Sequence, residues 1–158
     1  MRSHQSAHIY RAARSFYDLA RPAFDDDSIL ERNVMAVVAN LALAVELFLK
    51  AADARITPSE RGLDGPLGSA KIQSNVWGHD FKELFDRMEP TVSARLQQLF
   101  HQETGKELEP LLVKCKDYFI HARYFYEPNH YHPFAVSAVK TLAEGLDAAL
   151  VKGWGPQS

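Results

Sequence analysis

The run from Val34 to Leu49 constrains this chain more than any other segment. It is apolar along nearly its whole length, so a helix built there must be covered on most of its sides. Within it, Asn40-Leu-Ala-Leu-Ala-Val-Glu46-Leu-Phe-Leu-Lys50 sets an acid and a base four residues apart, acid first. That spacing and order let the two side chains meet on one helix face. A carboxylate in such surroundings must be paired, because an unpaired buried charge costs several kcal/mol or more. The sequence offers further partners in Arg123 and Glu127, again four apart. Two helices each presenting one acid and one base can satisfy every charge by cross-pairing, and a buried network of Glu46, Lys50, Arg123 and Glu127 is expected.

At 158 residues the chain is expected to form one domain, 1–158, with a core over about 6–152. Net charge is −2, from 18 basic and 20 acidic residues, so no global basic field points to nucleic acid and any RNA contact must be a local patch. The one cysteine, Cys115, excludes an internal disulfide and a cysteine-based zinc site. Set among Leu111, Leu112, Tyr118 and Phe119, it reads as a buried, inert thiol. The N-terminal segment has no apolar stretch suited to a signal peptide, and Tyr10, Ala13, Phe16, Tyr17 and Ala20 read as a packed helix face. The Val34–Leu49 run is short for a bilayer and carries Asn40 and Glu46, so it reads as a core helix, and a cytoplasmic setting without membrane contact is expected.

Apolar spacings of three and four dominate, and no alternating strand stands out. Helices are predicted over about 6–21, 28–55 and 81–88, then from 91 or 93 past Phe100, over 108–126, and over 133–152. Pro22, Pro58, Pro90, Pro128 and Gly153 serve as their stops. Residues 56–78 carry four Gly, two Pro and three Ser with little periodicity and read as a long loop. The expected fold class is all-α, an up-and-down bundle of four to six helices.

Several polar constellations could carry chemistry. Asp80 is placed to cap the helix that begins at Phe81, and His79 beside it could act as a general base or ligand-facing donor. Lys114, Asp117, His121 and Tyr124 are spaced three, four and three apart and should line one helix face. That face could be a solvated stripe, a dimer surface, or an RNA groove in which His121 does acid–base work while Lys114 and Lys116 hold phosphate. His130 and His132 flank Tyr131 on a Pro-bounded loop but supply too few ligands for a metal, and no metal or cofactor is expected.

Three segments together resemble the HEPN superfamily of helical bundles. They are Asn40-x5-Glu46-x3-Lys50, Gly78-His79-Asp80-Phe81-x2-Leu84-Phe85, and Arg123-Tyr124-Phe125-Tyr126-Glu127. The resemblance covers roughly residues 28–150. It implies a HEPN-like bundle that dimerises and, in some relatives, a metal-independent endoribonuclease built on Arg-x4–6-His in a late helix. Lys116-Asp117-Tyr118-Phe119-Ile120-His121 stands at that segment, with lysine in the arginine's place. Lysine keeps the charge but loses the planar fork that grips phosphate bidentately. Arg123 with His130 is a second pairing of the same type, interrupted by Pro128. The resemblance therefore implies a homodimeric, non-catalytic or degenerate module that binds RNA, nucleotide or a partner. A toxin–antitoxin or phage-defence setting, with an antitoxin or nucleotidyltransferase-type protein as partner, goes with it. The alternatives are an active RNase, in which His121 or His130 is the base and Lys116 or Arg123 steadies the phosphate, and a purely protein-binding bundle.

Overall fold

Helix α2, Asp27–Ala52, runs through the centre of the molecule and carries the apolar segment. The computed structural model describes residues 4–57, 71–74, 80–123 and 134–155, with side chains at 6–53, 80–122 and 134–155. Asp26 starts α2 as its N-cap, its carboxylate accepting the main-chain N–H groups of Ser28 at 2.9 Å and Ile29 at 3.4 Å. At Asn33 the backbone leaves helical geometry (φ −125°, ψ 20°), and the side-chain amide donates to the Ile29 carbonyl at 2.9 Å. A side chain bonding back one turn in this way accounts for the kink. Beyond it, Val37, Val38, Leu41, Val45, Phe48 and Leu49 are buried.

Helix α1, His4–Ala20, passes through a 3-10 turn, Arg21–Phe24, and packs along α2. The Tyr10 and Phe48 rings lie 5.7 Å apart, so the start of α1 lies beside the end of α2. Further helices are α3, Phe81–Asp86; α4, Pro90–Thr104; α5, Leu108–Cys115; α6, Tyr118–Arg123; and α7, Val136–Trp154. α3, α6 and α7 pack against α2, while α7 also packs against α4 and α5. One contiguous apolar core results, from Ala13 on α1 to Leu150 on α7. Among the described residues the molecule is an all-α helical bundle but for one short ribbon. By length and apolarity alone α2 could cross a membrane, yet here its apolar side chains form this core.

The structure departs from the sequence reading at four places. α2 ends at Ala52 rather than Arg55, because Asp53 leaves helical geometry (φ −130°, ψ 62°). Part of the presumed structureless 56–78 loop is paired instead. β1, Ala54–Thr57, and β2, Lys71–Ser74, form an antiparallel ribbon in which Ile56 faces Ile72. These strands are too short for alternation to stand out. The expected 108–126 helix breaks at Lys116–Asp117 into α5 and α6, giving seven α-helices among the described residues instead of at most six. The break lets α5 pack on α7 and α6 on α2. Gly153 does not stop α7; Gly155 does. Gly153 lies inside the helix against Leu99, where a Cβ would come within 2.6 Å of Cδ1.

Candidate functional site

Glu46 is 4% exposed, although it carries the charge expected least in this core. Lys50 Nζ donates to Glu46 Oε1 at 2.6 Å, and the lysine side chain keeps 22% exposure. The four-residue spacing thus produces the contact that the sequence implied. Lysine can serve a buried acid from the margin of the core because its four-carbon stem lies on apolar surface while the ammonium reaches towards water. α6, which ends at Arg123, packs on α2. The Arg123 side chain and residues Tyr124, Glu127 and His130 lie outside the described residues, as do His79 and His132. The expected cross-pairing of Glu46 with Arg123 and Glu127 therefore falls on residues whose side chains are not described.

Asp80 caps α3: its carboxylate accepts from the main-chain N–H of Lys82 at 2.9 Å and of Glu83 at 3.1 Å. A carboxylate so used satisfies two of the helix's otherwise unbonded donors, a structural task.

The α5–α6 segment holds the acid–base candidates. Lys114 and Lys116 are exposed, and Lys116 forms the C-cap of α5. His121 and Asp117 are half-buried, and the His121 main-chain N–H donates to the Asp117 carbonyl at 3.1 Å. Tyr118 is a core residue. Its hydroxyl accepts from the Ala135 N–H at 2.9 Å and its ring meets Phe134 edge-on at 5.2 Å. Burial pushes the Cys115 thiol up to about 11, so at neutral pH it is a thiol and not a nucleophile. Val113 and Ile120 remain 48% and 39% exposed on either side of the break. Single exposed apolar side chains are ordinary on a protein surface, and Leu19 and Val151 are more exposed still.

Two further polar assemblies escaped the sequence reading. Asp147 on α7 accepts from the Tyr10 hydroxyl at 2.5 Å and from Arg14 Nη1 at 2.7 Å, while Arg14 also meets Asp18 at 3.0 Å. Burial opposes the Arg14 charge, but the carboxylates of Asp147 and Asp18 outweigh it and raise its pKa. The Arg14 guanidinium lies over the Tyr17 ring at 5.0 Å. This assembly ties α1 to α7. At the exit of α2, the Trp154 indole donates to the Ala52 carbonyl at 3.0 Å, and the buried Asp53 carboxylate accepts the Glu89 N–H at 3.1 Å. Apart from Asp18 and Tyr17, which lie on α1 with Arg14, the partners lie at least 36 residues away.

A groove of about 390 Å³ between the end of α4 and α7 is lined by Glu103, Thr104, Lys106, Thr141 and Glu144. Its hydroxyls are bonded to their own helices, Thr104 to the Phe100 carbonyl and Thr141 to that of Ser137, and Glu103 pairs with Lys152. None of the sequence-selected residues lines it. Among the described residues no three His, Cys, Asp or Glu side chains gather in a metal-binding group. Compared with models of known families, with curated proteins and with solved structures, the chain matches none.

Proposed function

We propose that this chain is a HEPN-like, non-catalytic RNA-binding module, working in the cytoplasm as a homodimer joined through α5 and α6. The observation that carries the reading is the surface at the α5–α6 break: exposed lysines between Val113 and Ile120, with the neighbouring thiol inert. Val113 and Ile120 lie symmetrically about the Lys116–Asp117 step. A two-fold axis through that step sets Val113 of one copy against Ile120 of the other, and Lys116 against Asp117. Such self-complementarity is what an isologous interface needs. A toxin–antitoxin or phage-defence setting follows from the resemblance, with an antitoxin or nucleotidyltransferase-type protein, or a nucleotide, as further ligand.

The second reading is a metal-independent RNase, favoured by the partial solvent access of His121 on α6. In it His121 or His130 takes the 2′-hydroxyl proton and Lys116 or Arg123 stabilises the charged phosphorane-like transition state. Incubation of the protein with end-labelled RNA in EDTA separates the two. Retention of intact RNA is expected. Cleavage that disappears in His121→Ala or His130→Ala would establish the enzyme instead. In size-exclusion chromatography with light scattering, wild type should run as a dimer and Val113→Glu/Ile120→Glu as a folded monomer. A wild-type monomer would contradict the homodimer, and a monomer that binds no RNA leaves the purely protein-binding bundle.

A further inference from the structure

α2 ends where α4, α7 and the ribbon meet. Asp53 leaves helical geometry (φ −130°, ψ 62°), and the chain passes directly into β1. The Ala52 carbonyl lies in the last turn of α2, where a helix has no internal donor to offer. It is bonded from α7 instead, by the Trp154 indole at 3.0 Å. The next residue is held by α4: the buried Asp53 carboxylate accepts the N–H of Glu89, the N-cap of that helix, at 3.1 Å. Trp154 is itself set in place. The Arg95 guanidinium lies over its ring at 5.2 Å. Gly153 has no side chain to hold the last turn of α7 away from Leu99, whose Cδ1 would lie 2.6 Å from a Cβ there.

The ribbon that starts at this point cannot stand by itself. A two-stranded hairpin is marginal at best in water, and β1 and β2 have four residues each, paired from Ala54 with Ser74 to Thr57 with Lys71. α1 packs on β1. The other support among the described residues is the root, where the bonds on Ala52 and Asp53 immediately precede the first pair. An element held by so few contacts opens at a lower free energy than the whole molecule unfolds. The core of α2 is different, because its apolar side chains are buried under several helices and part only when the bundle does.

We propose that the last turn of α7 is a latch on the ribbon: when the Trp154–Ala52 bond breaks, β1 and β2 come away as a unit while the helices stay folded. The latch belongs to α7, and the element it governs lies some eighty to a hundred residues earlier in the chain. Bond and ribbon are linked through the backbone alone, since Ala52 is two residues before the first strand position.

Native-state hydrogen exchange of the full chain, followed amide by amide by NMR, tests this. In wild type the paired ribbon amides should exchange at least about tenfold faster than those of residues 41–48 in the core of α2. Trp154→Phe keeps a ring under Arg95 and removes the donor. It should speed ribbon exchange about three- to tenfold, as the loss of one hydrogen bond implies. Gly145→Ala strains the α4–α7 contact at Phe100, more than two turns before Trp154. That contact survives when the ribbon alone opens, so this variant should speed exchange in the α2 core and leave the ribbon within about twofold of wild type. Unchanged ribbon exchange in Trp154→Phe overturns the latch. Ribbon amides that exchange as slowly as the α2 core, or that quicken in step with it in Gly145→Ala, overturn the ribbon as a separate unit and the proposal with it.

Discussion

Glu46 keeps a carboxylate in the core because Lys50, one turn further on, brings a cation to it from the edge of the core. Lys50→Met removes that cation and should cost roughly 3 kcal/mol of unfolding free energy, the low end for breaking a buried pair because Lys50 keeps some solvent. In urea melts, Glu46→Gln/Lys50→Met should recover part of that loss; additive costs would show that the two side chains are not coupled. Cys115 makes a second prediction at this scale. With its thiol pushed up to about 11, it should resist a thiol reagent at pH 8 in the folded protein and react at once in urea. Both residues were legible in the sequence because their decisive neighbours are local: Lys50 is four residues away and Cys115 sits in its own apolar stripe. Asp147 was not legible, since nothing near it signals Tyr10 and Arg14 on α1.

Caps and close helix approaches decide stability at the scale of elements. Asp80→Ala leaves two N–H groups of α3 unbonded and should cost about 1 kcal/mol, read from chemical melts. Ser28 bonds hold the Asp26 carboxyl below its ordinary 3.8, so its contribution is complete above that pH and is lost as pH falls through the folded value. Asp26→Asn, which retains a capping oxygen, should therefore flatten the acid limb of the stability profile below pH 4; an unchanged limb would contradict that role. Gly145 reverses a usual rule. An interior helix Gly→Ala change ordinarily gains about 1 kcal/mol, but here the new methyl meets the Phe100 ring and, at 2.6 Å, Thr104 Cγ2. Overpacking costs about 1–3 kcal/mol, so Gly145→Ala should lower Tm. The helices themselves were legible from periodicity and from Asp26, Asp80 and Pro90. The α5–α6 break was not, because Lys116 and Asp117 carry no Gly or Pro and the bend arises from docking on two different helices. Nor was the ribbon, whose strands depend on pairing across an intervening segment rather than on local alternation.

At the scale of the whole molecule, the polar assemblies divide into those that hold the bundle and those that face outwards. The Glu46–Lys50 pair secures a buried charge within α2, and the Asp147 assembly and the Trp154–Ala52 bond join helices; the lysines at the α5–α6 break are exposed on the single chain. The sequence pointed to the α5–α6 segment because its candidates are consecutive. On the proposed reading the bundle offers RNA charge and shape rather than a nucleophile. Light scattering of the protein after chromatography with a labelled single-stranded RNA, in EDTA, tests that claim most directly. The account predicts full-length RNA co-eluting with a mass of two protein chains. Shortened RNA, or RNA eluting apart from the protein, would contradict it.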